Sequence, residues 1–181
     1  RAAAAIAARD AVHLPRHGLI CIACDRRREL LRRAYLPLGA LGATVTTYDV
    51  TPTARLGSRH RIAKSTEELF STCDIISIHI PLEEQNERLI SHSLLSHLKP
   101  GSVVVNTSPL DVFELSALDQ TLRKNQSRFV SHQSYGSQGS FEHLSRLSNV
   151  KVYPQIAHIS RAACYRREED CLRLLASLRP S

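Results

Sequence analysis

Residues 19–33, LICIACDRRRELLRR, gather the first candidate chemistry in the chain. Cys21-x-x-Cys24 has the spacing of half a zinc site. Both cysteines lie on a strand-like segment, where residues three apart point to opposite faces, and no second pair follows at a useful distance; no metal centre is expected. Arg26, Arg27 and Arg28, followed by Arg32 and Arg33, crowd the start of a helix-like segment. A helix N-terminus itself attracts anions, so these arginines are anion-binding candidates, for RNA phosphates or an acidic protein. The alternative is a solvated helix face on which Glu29 pairs with Arg33 at i,i+4. No aromatic residue interleaves with the arginines, so base stacking is not indicated. The same junction poses a second question. In a phosphate-binding βαβ unit it would be a glycine-rich turn, whereas here it reads Ala23-Cys24-Asp25-Arg26-Arg27-Arg28.

These residues belong to a chain of 181 residues, enough for one domain with a sizeable core. At 43% hydrophobic and 23% charged residues, global disorder is excluded as a description. The net charge of +7 is spread along the chain, as scattered arginines on solvated faces would leave it. No apolar run approaches the roughly 20 residues of a membrane-spanning helix, so no membrane role is expected. The five cysteines are odd in number and mostly outside loops; a disulfide framework is not expected, and an intracellular reducing compartment, cytoplasm or organelle, is. The chain begins at Arg1 and contains no Met, as expected of a processed protein or a piece of a longer one. The opening RAAAAIAARDAVHLPRHG has the Arg/Ala bias of a transit peptide, but Asp10 and the lack of serine favour an Ala-rich helix leading into the domain.

Strand-like and helix-like segments alternate. The strands are read at 19–24, 44–50, 74–80, 102–108, 128–134 and 150–154, several apolar without clean alternation, as strands covered on both faces are. Ser65-Thr66-Glu67-Glu68 is a capping box opening TEELFSTC, and Ser91 is read as the cap of HSLLSHL, which stops at Lys99-Pro100-Gly101. FELSALDQTLRKN carries Leu115, Leu118 and Leu122 at helical spacing, and a last helix from about Ser160 to Leu178 ends at Pro180. This alternation implies an α/β fold with a doubly wound, mostly parallel sheet, Rossmann-like and single-domain. Residues 1–18 form a lead-in helix and linker, 19–159 the sheet domain and 160–181 the C-terminal helix. Ligands in such sheets bind beyond the carboxyl ends of the strands, which here directs attention to 23–28, 48–50, 78–82, 106–110, 134–140 and 154–160.

Several of those strand ends resemble one family. CDIISIHIPLEEQNERLISHSLLSHLKPGSVVVNTS, residues 73–108, is similar to the D-x-x-S-x-H-x-P-L … L-I … L-K-P-G … N-T run of the D-isomer-specific 2-hydroxyacid dehydrogenases, in their nucleotide-binding domain. That family includes phosphoglycerate, glycerate and formate dehydrogenases and the C-terminal-binding corepressors. Tyr48-Asp49, LSNVKVYPQIAHIS and ELSALDQTLRKN extend the similarity over roughly Leu19 to Ala163. The substrate-binding half of the family is expected to be absent, with the chain ends as remnants of the interdomain connections.

The resemblance implies hydride transfer between NAD and a 2-hydroxy or 2-oxo acid, using an Arg that clamps the substrate carboxylate, a His that moves the proton and a carboxylate that tunes the His. The Arg position, after Asn106-Thr107-Ser108, is Pro109; the His position, after Pro154, is Gln155; and YGSQGS (135–140), where the carboxylate belongs, has no acid. His158 stands at a family Gly position and is read as a packing or surface histidine. The family's G-x-G-x-x-G falls on Ala23, Asp25 and Arg28, where a carboxylate would face the pyrophosphate. The spacing from Ala23 to Asp49 is also about three residues longer than the family's. What survives is Asp49, placed to bond the adenosine ribose, with His79, Pro81 and Thr107 on the nicotinamide side, residues that the strand ends also need for structural reasons. Together these changes imply a pseudoenzyme: a degenerate domain with no catalytic residues, no bound cofactor, and a structural or protein-interaction role as a homodimer or with a protein partner. Two alternatives stay open. One is retained NAD binding, as a regulatory ligand or in an oxidoreductase joined to a missing half; the other is a basic component of a nucleoprotein assembly.

Overall fold

The computed structural model describes residues 19–24, 38, 43–49, 57–58, 60–132 and 138–153, with backbone alone for 19–24 and 138–141. Seven parallel strands form one sheet: β1 (Leu19–Cys24), β2 (Thr44–Tyr48), β3 (His60–Ile62), β4 (Ile75–His79), β5 (Val103–Asn106), β6 (Arg128–His132) and β7 (Val150–Tyr153). Their order is β3-β2-β1-β4-β5-β6-β7, so the chain winds outward in one direction from β1 to β3 and then restarts beside β1 at β4. This reversal is the topological switch point of a doubly wound sheet. The register is continuous across it, Ala23 pairing with Tyr48 on one side and Cys24 with His79 on the other.

Side-chain burial follows position in the sheet. In β4, Ile75, Ile76, Ser77 and Ile78 are all buried, and in β5 Val104, Val105 and Asn106 are, the pattern of central strands covered on both faces. The edge strand β3 buries only His60, whose Nε2 lies 2.9 Å from Thr47 Oγ1. No strand was expected there: three residues, His-Arg-Ile, make no apolar run, and the pairing of Val45, Thr46 and Thr47 with them creates the strand.

Four helices lie among the described residues: α1 (Thr66–Thr72), α2 (His92–Leu95), α3 (Leu115–Asn125) and α4 (Gln138–Ser145). The Ser65 cap forms as read, its Oγ accepting from Glu68 N at 3.2 Å. Glu68 reaches one residue further back than a capping box would, accepting from Lys64 N at 2.7 Å. Ser91 precedes α2 but makes no side-chain cap; Glu114, from the turn before α3, accepts from His92 N at 2.9 Å instead. Leu118 and Leu122 of α3 are buried and Leu115 is partly buried, as their spacing predicts. α4 was not anticipated, since QGSFEHLS has few apolar residues to mark a helical stripe. Leu144 is its buried anchor among the side chains described. The lead-in helix and the C-terminal helix read from the sequence lie outside the described residues.

Leu69 and Phe70 of α1, Leu118 and Leu122 of α3, and Ile76, Ile78, Val104 and Phe129 of the sheet share one core. Phe113 and Phe129 meet edge to face, with ring centroids 5.5 Å apart and planes at 87°. Cys73, buried between α1 and β4, is disulfide-bonded. The sequence reading, which expected no disulfide framework, did not anticipate this bond. No described helix is long and apolar enough to cross a membrane.

On the surface, Asp119 of α3 receives Arg123 Nε at 2.8 Å and Nη2 at 3.0 Å, with His143 Nε2 of α4 at 3.4 Å. The Arg123 hydrogen bond, aided by the charges of Arg123 and His143, holds the Asp119 carboxyl below its ordinary value of 3.8. A group depressed in the folded state stabilises above its unfolded pKa and loses that contribution as pH falls. The stability difference between the natural chain and Asp119→Asn is therefore expected to be constant near neutrality and to shrink below about pH 4. Denaturant midpoints measured from pH 7 to pH 3 check this.

Candidate functional site at the carboxyl edge of the sheet

A doubly wound sheet exposes its ligand-binding crevice where adjacent strand ends diverge, so the exits of β1, β2, β4, β5 and β6 define the site. Asp49 follows the last residue of β2 and is half-buried, with its Oδ2 enclosed. His79 ends β4, on the far side of β1 from Asp49. Two strand spacings, about 10 Å, separate those positions along the sheet edge. Pro81, two residues beyond His79, is half-buried, and its carbonyl accepts from Asn86 Nδ2 at 3.1 Å. Thr107 is the first residue past β5.

The structure brings His79 and Thr107 together: Thr107 Oγ1 lies 2.6 Å from His79 Nδ1 and donates to Ile78 O at 3.0 Å. Thr107 N also donates to Ile78 O, at 3.1 Å. On the other side of the ring, Ser77 Oγ is 2.8 Å from His79 Nε2. Asp49 is set apart from this pair, flanking the β1 end from the β2 side. Asp25, Arg26, Arg27, Arg28, Gln155 and His158 lie outside the described residues.

A second group was missed at the level of sequence. Asn106, buried at the end of β5, donates from Nδ2 to Ser108 O at 2.8 Å and to Ser131 Oγ of β6 at 3.1 Å, while its Oδ1 accepts from Ser108 N at 2.9 Å. Ser108 Oγ accepts from Ile80 N at 2.7 Å, tying the β5 exit to the β4 exit. The available signal was chemical. Three polar residues, Asn106, Ser108 and Ser131, stand in or beside apolar strands, and buried polar groups must find partners. This network fixes the Asn106-Thr107-Ser108-Pro109 turn, after which Pro109 (φ −54°) opens a short 3-10 turn, Leu110–Val112, with Leu110 and Val112 buried.

The side chains gathered here are hydroxyls, one amide and one imidazole; Ser77, His79, Asn106, Thr107, Ser108 and Ser131 include no carboxylate and no guanidinium. Among the described residues, this edge can hydrogen-bond a neutral ligand group but offers no bidentate clamp for a carboxylate. No cluster of metal-ligating side chains exists among the described residues. A cavity of about 390 Å³ opens at the N-terminus of α3, lined by Glu87, Arg88, Asp111, Phe113, Glu114, Leu115 and Ser116, and shares no residue with this edge.

Strand order, switch point and the placement of Asp49 beside the β1 exit define a dinucleotide-binding class of domain. Within that class, residues 32–156 match the family model of the D-isomer specific 2-hydroxyacid dehydrogenase, NAD binding domain. The chain belongs to this family. It is 32% identical over 84 residues to D-3-phosphoglycerate dehydrogenase of Haemophilus influenzae, covering 46% of this chain and 20% of that protein. It is 28% identical over 116 residues to D-2-hydroxyacid dehydrogenase (NAD+) of Lacticaseibacillus paracasei, covering 56% of this chain and 35% of that one. The D-lactate dehydrogenase of Aquifex aeolicus, solved with NAD and lactic acid, superposes with a TM-score of 0.74 at 18% identity over 88% of this chain and 53% of its own. The chain thus spans a fifth to about a third of the length of these two curated relatives. Because the family is one of NAD-binding domains, the expectation of no cofactor finds no support in these comparisons.

Proposed function

We propose that this chain is a D-2-hydroxyacid-dehydrogenase-type NAD-binding domain that does not carry out hydride transfer and serves as a structural or protein-interaction module. Pro109 carries the reading. It stands where the family resemblance requires the carboxylate-clamping Arg, has neither charge nor donor, and follows a turn held by the Asn106 and Ser108 hydrogen bonds. Gln155 at the His position supports it from the sequence, since an amide does not transfer protons near pH 7. A homodimer or a protein partner is the corresponding assembly.

A second reading is favoured by Asp49 and by family membership: NAD(H) is retained as a ligand. The residues fit the two ends of a dinucleotide, Asp49 to accept the adenosine ribose hydroxyls and His79, Pro81 and Thr107 to line the nicotinamide side. When bound, NAD(H) would supply the hydride donor or acceptor. Calorimetry with NADH, run on the natural chain beside an Asp25→Gly, Arg28→Gly double variant, separates the readings. Under the first, the natural chain is silent and the variant, freed of the carboxylate and bulk in the phosphate turn, binds. Micromolar binding by the natural chain establishes the second.

A further inference from the structure

We draw no further inference here: the strongest candidate, the cavity of about 390 Å³ at the N-terminus of α3, is an acidic cluster of Glu87, Asp111 and Glu114 beside Arg88 at a helix start, and nothing among the described residues shows what fills or covers it.

Discussion

An Asn106→Ala variant is expected to be about 3 kcal/mol less stable than the natural chain, with a lower denaturant midpoint and an unchanged slope. Asn106 is 1% exposed and makes three hydrogen bonds, two to the backbone of Ser108 and one to Ser131 Oγ. Alanine removes all three bonds at once. Ser108 N and Ser108 O would be left without these partners in a buried turn, and each stranded group costs about 1–3 kcal/mol. Asn106→Asp sharpens the test. A carboxylate could still accept from Ser108 N, but it cannot donate to Ser108 O, and it would bring a buried charge facing a carbonyl. That variant is expected to be the less stable of the two at neutral pH and to recover partly on acidification, when the protonated carboxyl regains a donor. Equal stability of Asn106→Ala and the natural chain would mean that the turn before Pro109 is not held as described.

Phe129→Ala is expected to cost about 3–5 kcal/mol, the range for truncating a buried aromatic side chain. Phe129 is fully buried in β6 and meets Phe113 edge to face. Phe113 itself lies where the Ile90–Phe113 bridge joins the approach to α2 to the approach to α3, with Ile90 N donating to Val112 O and Glu114 N to Ile90 O. Removing the Phe129 ring therefore undermines the wall that supports the turn after Pro109 as well as the core. Phe129→Leu keeps most of the volume and is expected to cost much less. Thermal and denaturant unfolding of the pair checks the order.

How far these features could be read without coordinates depends on how local their causes are. The six long strands were legible because Ile, Val and Thr runs between turn signals have few other uses in a chain of this kind. The carboxyl ends of β2, β4 and β5 fall one or two residues short of the reading, because an apolar or Thr-rich run does not mark where the ladder of paired residues stops. β3 and α4 escaped notice for a common reason: each is short and gains its structure from a neighbour, β3 from the β2 edge and α4 through Leu144. The Ser91 cap failed because Glu114, 22 positions away, reaches His92 N, and no local rule anticipates a distant partner.

The strand ends that would form a site were legible as strand ends. His79 and Thr107 were expected on the same side of the crevice, and they touch. The bonds that fix them were not, since nothing in the letters Ser77, Asn106 and Ser108 says which backbone group each will take. The Cys73 disulfide was not anticipated because bonding depends on which side chains the fold brings within reach, which a count of cysteines does not give.

The central claim is that this family member's crevice does not perform the family's hydride transfer, and deuteride transfer tests it most directly. The full chain would be incubated with NADH deuterated at the reactive C4 position and a panel of 2-oxo acids, and the corresponding 2-hydroxy acids examined by mass spectrometry. With Pro109 at the clamp position and Gln155 at the proton-transfer position, no deuterated 2-hydroxy acid is expected above a protein-free control. Enzyme-dependent deuterium at C2 of any one of them would contradict the account.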